Sequence, residues 1–101
     1  MIRCQFTLRD GSYTKLFVKG HAESGEYGKD LVCAGVSSIV FGLMNACDAC
    51  GDITDIRPGR NKIEIEVLSE SGVIQNYFEL AYIQLRTIEE SHGEYIQVER
   101  K

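Results

Sequence analysis

The sequence predicts an α+β fold in the order ββαββαβ: a mixed or antiparallel sheet packed with two helices in a single domain, residues 1–101. Three observations predict it. Ile2, Cys4, Phe6 and Leu8 alternate with Arg3, Gln5, Thr7 and Arg9, the period of a half-buried strand. Two longer stretches carry apolar residues at helical spacing. A chain of 101 residues builds one core, with no room for a second domain.

The elements follow in order. Asp10-Gly11 is a hairpin-type turn signal, and Tyr13 to Lys19 returns as the second strand. The segment between Gly20 and Gly28 has no apolar periodicity and reads as a loop, long enough to be a lid. Asp30 is placed to cap a helix from about Leu31 to about Cys50, closed by Gly51. Leu31, Val32, Val36, Ile39, Val40, Phe41, Leu43 and Met44 cover more than one stripe of that helix, which predicts burial on several sides. A small sheet covers only one of those sides, so part of the rest is expected to face a second copy of the chain. Ile53 to Arg57 is a short strand, Pro58-Gly59 a turn, and Ile63 to Val67 a strand of clean alternation. Ile74, Tyr77, Phe78, Ala81, Leu85 and Ile88 mark an amphipathic helix from about Ser71 to Ser91, ended by Gly93, before a last strand from Tyr95 to Glu99.

Apolar residues make up 44% and charged residues 26%, ordinary globular composition. A net charge of −4, without a run of Lys and Arg to offset it, speaks against a nucleic-acid surface and favours basic peptide or protein partners. The amino terminus lacks a signal-peptide layout, and Leu31 to Cys47 is interrupted by Ser37, Ser38 and Asn45, so no membrane span is expected. The chain reads as cytoplasmic, and its four cysteines as reduced thiols.

Chemistry concentrates between Gly20 and Ser37. With Asp30 as cap, Cys33 is the third helical residue, among unpaired N–H groups at the positive end of the helix dipole, where a thiolate is favoured. His21, across the glycine-bearing loop, supplies an imidazole, and together they form the minimum kit of a cysteine nucleophile. The free N–H groups of the same turn are candidate oxyanion donors. Ser37, one turn beyond Cys33, shares its face and could bond the imidazole, a substrate or its own helix. Such a pair works as an ion pair without a further carboxylate, and no metal or other cofactor is expected. Against this stands the ordinary role of a free cysteine as a small buried hydrophobe. Cys47-Asp48-Ala49-Cys50 has redox or half-zinc-site spacing, but it closes a helix, where the dipole opposes a thiolate.

The pattern Gly20-His21-Ala22, then Gly28-Lys29-Asp30-Leu31-Val32-Cys33-Ala34-Gly35-Val36-Ser37, resembles the bacterial ribosomal-processing cysteine proteases, the Prp family. The resemblance extends over essentially the whole chain. It implies an endopeptidase that removes a short N-terminal extension from the large-subunit ribosomal protein numbered twenty-seven, cutting after an aromatic residue. On the same resemblance His21 and Cys33 form the catalytic dyad, Gly20, Asp30 and Ser37 support it, and Ala22 to Lys29 form a flap over the peptide. It also implies a homodimer. Two competing classes are a thiol-disulfide redox protein using Cys47 and Cys50, and a non-enzymatic ribosome-associated interaction module in which Cys33 is dispensable.

Overall fold

The computed structural model describes residues 1–20, 27–51, 54–69 and 71–101, and side chains of the first helix from residue 31 onward. The order is β1 (Ile2–Arg9), β2 (Ser12–Lys19), α1 (Tyr27–Ala49), β3 (Thr54–Gly59), β4 (Lys62–Val67), α2 (Gly72–His92) and β5 (Ile96–Arg100). The strands form one five-stranded sheet in the spatial order β3-β4-β2-β1-β5. All neighbours are antiparallel except β1 and β5, which run parallel because α2 carries the chain back across the sheet. Fold class and element order are as the sequence predicts.

The period of two sets the two faces. Ile2, Cys4 and Phe6 of β1, Leu16 and Val18 of β2, Ile65 of β4 and Ile96 and Val98 of β5 are buried beneath the helices. α1 adds Val32, Val36, Val40, Leu43 and Cys47, and α2 adds Ile74, Phe78, Ala81 and Leu85. Both sets recur at steps of three and four, so each helix lays one stripe on the sheet. Within the single chain Leu31 and Phe41 are more than half exposed, so the sheet and α2 leave that part of α1 uncovered. By length and composition alone Leu31–Ala49 could cross a membrane. Here its stripe from Val32 to Cys47 completes the core.

Aromatic packing fixes the opposite end of the sheet. Phe6 meets Tyr13, Phe78 and Tyr82 edge-on, with centroids 5.7, 6.4 and 5.4 Å apart. The Gln75 side-chain amide pairs with the main chain of Tyr13, accepting from its N–H at 2.6 Å and donating to its carbonyl at 2.8 Å. Tyr13 donates its hydroxyl hydrogen to Glu79 at 2.9 Å, and Arg100 donates to both at 3.0 Å while lying 4.1 Å over the Tyr82 ring. On β5 the Val98 N–H is taken by Glu89 at 2.7 Å, which satisfies a donor on an exposed edge.

Three local expectations need correction: the start of α1, its cap and the turn at Pro58-Gly59. α1 begins at Tyr27, so Asp30 lies inside the helix and is not its cap. Gly28 disguises that start, because glycine is a weak helix former; in a first turn, whose N–H groups are unpaired in any case, it is tolerated. Pro58 and Gly59 belong to β3, an edge strand where a missing N–H breaks no ladder. The turn falls instead at Arg60-Asn61, with Asn61 at φ +59°. Gly93 ends α2 as expected, at φ −59°, while Gly51 after α1 takes the left-handed φ of +93°. Asp10 and Gly11, at φ +52° and +81°, form the expected hairpin turn.

Candidate active site

The site is assembled where β2 ends. Gly20 takes φ +85°, and its N–H donates to the Asn61 carbonyl at 2.8 Å. A Cβ there would sit 2.5 Å from the Met1 carbonyl oxygen. Only glycine lets the chain pass between the start of β1 and the β3–β4 turn. His21 is the next residue and lies outside the described residues, as do Ala22 to Glu26 of the expected flap. Tyr27 to Lys29, assigned to that flap by the sequence, are the first residues of α1.

One helical step around from the stripe that packs on the sheet, Cys33, Ser37 and Phe41 follow one another at intervals of four. They line a cleft of about 270 Å³ together with Val36 and Val40. Ile2, Val18 and Gly20 bound it on the sheet side, and Pro58, Gly59, Asn61, Lys62 and Ile63 of the β3–β4 hairpin bound it opposite the helix. Gly20, Cys33 and Ser37 therefore line one cleft. The Asp30 side chain lies outside the described residues. Sequence reasoning missed Phe41, Asn61 and Lys62. Phe41 was readable as the next step of the 33–37 series, whereas the hairpin reaches the cleft only through sheet pairing.

The position of Cys33 in its helix differs from expectation. It is the seventh residue of a helix that starts at Tyr27, beyond the first turn. There a backbone N–H bonds the carbonyl four residues back, and the dipole contributes little. Helix-start chemistry therefore does not account for a thiolate at Cys33, and its own N–H is not a free oxyanion donor.

The cysteines differ in access. Cys33 is half-buried at the cleft, whereas Cys4 and Cys47 are fully buried. Burial pushes the Cys4 thiol up to about 12, helped by the charge of Glu89. Burial likewise pushes Cys47 up to about 11, with a smaller contribution from Cys50. A thiol held neutral in this way is a poor nucleophile and a poor partner for disulfide exchange. Cys47 lies 14 residues beyond Cys33, roughly 20 Å along the helix. The C-x-x-C pair is thus remote from the cleft.

A half-buried thiol and a hydroxyl on one wall of a largely apolar cleft, with Lys62 at the rim, suit nucleophilic chemistry on an extended apolar ligand. The profile of the family described as cysteine protease Prp matches residues 1–97. The chain belongs to that family. It is a cysteine protease. The ribosomal processing cysteine protease Prp of Staphylococcus aureus (strain Mu50) is 34% identical over 106 residues, covering all of both chains. That of Bacillus subtilis (strain 168) is 63% identical over 45 residues, 42% of this chain and 40% of the relative. Among solved structures, an essential ribosomal processing protease Prp from S. aureus, in complex with a covalently linked product peptide, superposes with a TM-score of 0.89 at 33% identity over both full chains. The same protease in complex with a substrate peptide gives 0.85 at 31% identity, again over both full chains.

Proposed function

We propose that this chain is an endopeptidase that removes a short N-terminal extension from a large-subunit ribosomal protein, with Cys33 as nucleophile and His21 as its proton partner. The observation that carries the reading is the cleft itself. It is lined by both Cys33 and Gly20, the residue immediately before His21, in a chain of a cysteine protease family. Relatives named for ribosomal processing support the substrate class. A ribosomal precursor is basic, and this chain carries a net charge of −4.

In this mechanism His21 takes the Cys33 proton, and the thiolate sulfur attacks the carbonyl carbon of the scissile bond. As the tetrahedral intermediate collapses, the C–N bond breaks and His21 returns the proton to the leaving amine. Water, activated by the same imidazole, then attacks the thioester, releases the new carboxyl terminus and restores the thiol. Because Cys33 lies beyond the first helical turn, its activation rests on the neighbouring imidazolium more than on the dipole. Asp30, relieved of capping, is assigned to orienting His21. Ser37 holds substrate or imidazole one turn from the thiol. Apolar cleft walls from Val36, Val40, Phe41 and Pro58 receive an apolar side chain of the peptide.

The reaction is assigned to the cytoplasm and to a homodimer. The exposed apolar residues Leu31 on α1 and Leu80 and Ile83 on α2 are the surface on which a second copy packs. Sedimentation at micromolar concentration should give twice the 11.3 kDa chain mass; a soluble, active monomer would remove the dimer from the reading. The reading as a whole is tested by incubating the protein with the ribosomal precursor and weighing the products. A single cut near the amino terminus, abolished in Cys33→Ala, is the expected result. An uncut precursor, or cleavage by Cys33→Ala at the parental rate, would overturn it.

A further inference from the structure

The sheet face turned away from the helices has a charge pattern that the linear sequence conceals. Pairing places Lys62 opposite Lys19, and Lys19 opposite Arg3, so three cations stand in one row across β4, β2 and β1. All three are exposed, and none forms an ion pair with a described residue. Like charges directly opposite one another on neighbouring strands are destabilising, so the row opposes folding. The charges further along the same face are treated differently. Glu64 is paired with Lys15 at 3.4 Å and Arg57 at 3.3 Å, and Glu66 with Arg57 at 3.5 Å. Glu64 and Glu66 are thus paired and Glu99 accepts from the Gln5 amide, while among the described residues three cations without an ion pair stand in one row, with Arg9 at the far end of β1.

Beside the row stands an aromatic ring. Phe17 is half-buried on the same outer face, in register between Gln5 and Glu64 at the middle of the sheet. It lies two residues from Lys19, about 7 Å along the strand. A ring on an open sheet, with a row of cations one step away, offers a base a stacking surface and its phosphates a counter-charge.

We propose that this outer face binds single-stranded RNA, with Arg3, Lys19 and Lys62 on its phosphates and Phe17 under a base. Of the three cations only Lys62 also borders the cleft, at its rim; Arg3 and Lys19 do not, and the site stands whether or not the cleavage reading does. Net charge argues against such a surface only when charges are averaged over the molecule; sheet register concentrates them locally. An acidic polypeptide would use the row but gain nothing specific from the ring, and therefore fits the face less well.

The test is fluorescence anisotropy of a labelled ten-nucleotide oligouridylate titrated with the intact protein at 50 and 200 mM KCl. Saturable binding at the lower salt is expected, weakening roughly twentyfold at the higher, as three phosphate contacts on a single strand require. Arg3→Glu with Lys19→Glu should weaken binding at least tenfold and flatten the salt dependence. Arg3→Gln with Lys19→Gln should do so less steeply and serves if the reversal fails to fold. Phe17→Ala should weaken binding severalfold at both salts with the slope unchanged. Cleavage of a substrate peptide by the Arg3 and Lys19 variants should match the parent. No binding at 50 mM KCl, or parental binding by the Gln variant or by Phe17→Ala, would overturn the proposal. Equally effective competition by an oligoglutamate of the same charge would reassign the face to an acidic polypeptide and overturn it too.

Discussion

The two ends of α1 present cysteines in opposite circumstances. Near the start, Cys33 is half-buried on the wall of an open cleft, one turn from a serine and across from the exit of β2. Near the end, Cys47 faces into the core and Cys50 packs at its margin. The helix is the same and the residue type is the same. What differs is the direction of the side chain relative to the sheet, set by helical phase: Cys47 continues the stripe of Val32, Val36, Val40 and Leu43, and Cys33 lies one step off it. Access to a thiol on this helix follows from phase, not from the motif that surrounds it.

The largest effect that would sharpen this contrast is on catalysis. Cys33→Ala should abolish cleavage of a precursor peptide, and His21→Ala should lower kcat/KM on the order of 10²- to 10⁴-fold. Cys50→Ser should leave kcat/KM near the parental value. A folded Cys50→Ser variant without activity would break the comparison and revive the redox reading.

Gly20→Ala comes next. The added Cβ meets the Met1 carbonyl oxygen at 2.5 Å in a left-handed backbone, so the chain must shift just before His21. A stability loss of about 1–3 kcal/mol in urea titration is expected, with a fall in kcat/KM that persists under conditions where the variant is fully folded. Unchanged kinetics would show that the exit of β2 does not set the site.

Burial itself can be read by alkylation. Mass spectrometry after limited iodoacetamide treatment at neutral pH should find the label on Cys33 before Cys4 and Cys47, whose thiols are held neutral by the core. Early labelling of Cys47 would place it nearer solvent than its packing implies.

Alkaline pH gives the same contrast in stability. The folded thiols of Cys4 and Cys47 titrate near 12 and 11, above their unfolded value of 9.0. Above pH 9 the unfolded chain therefore loses protons that the folded chain keeps. Stability from these groups is complete below pH 9 and is lost as pH rises through 11 and 12. Urea midpoints should fall across that window, and less steeply in Cys4→Ala.

The smallest effect lies at the far end of the sheet. Tyr13→Phe removes the hydroxyl shared by Glu79 and Arg100 and should cost about 0.5–1.5 kcal/mol, with cleavage unchanged. A loss of activity would mean that the aromatic end and the cleft are coupled.

The sequence by itself determined the number, type and order of the elements and the residues of the inner face. Period two and period 3.6 are imposed by local backbone geometry, and each strand and helix carries its own record of them. It also singled out Gly20, Cys33 and Ser37, since a glycine turn and a helix face are local objects. The start of α1 escaped it because Gly28 imitates a boundary, and with that start went the supposed helix-terminal setting of Cys33. Only the tertiary structure decided which wall closes the cleft. Asn61 and Lys62 reach it through pairing of β4 with β2, a contact more than forty residues distant in the chain. The same register lined up Arg3, Lys19 and Lys62. Pairing between distant strands depends on how the whole sheet packs beneath two helices, and no single segment records it.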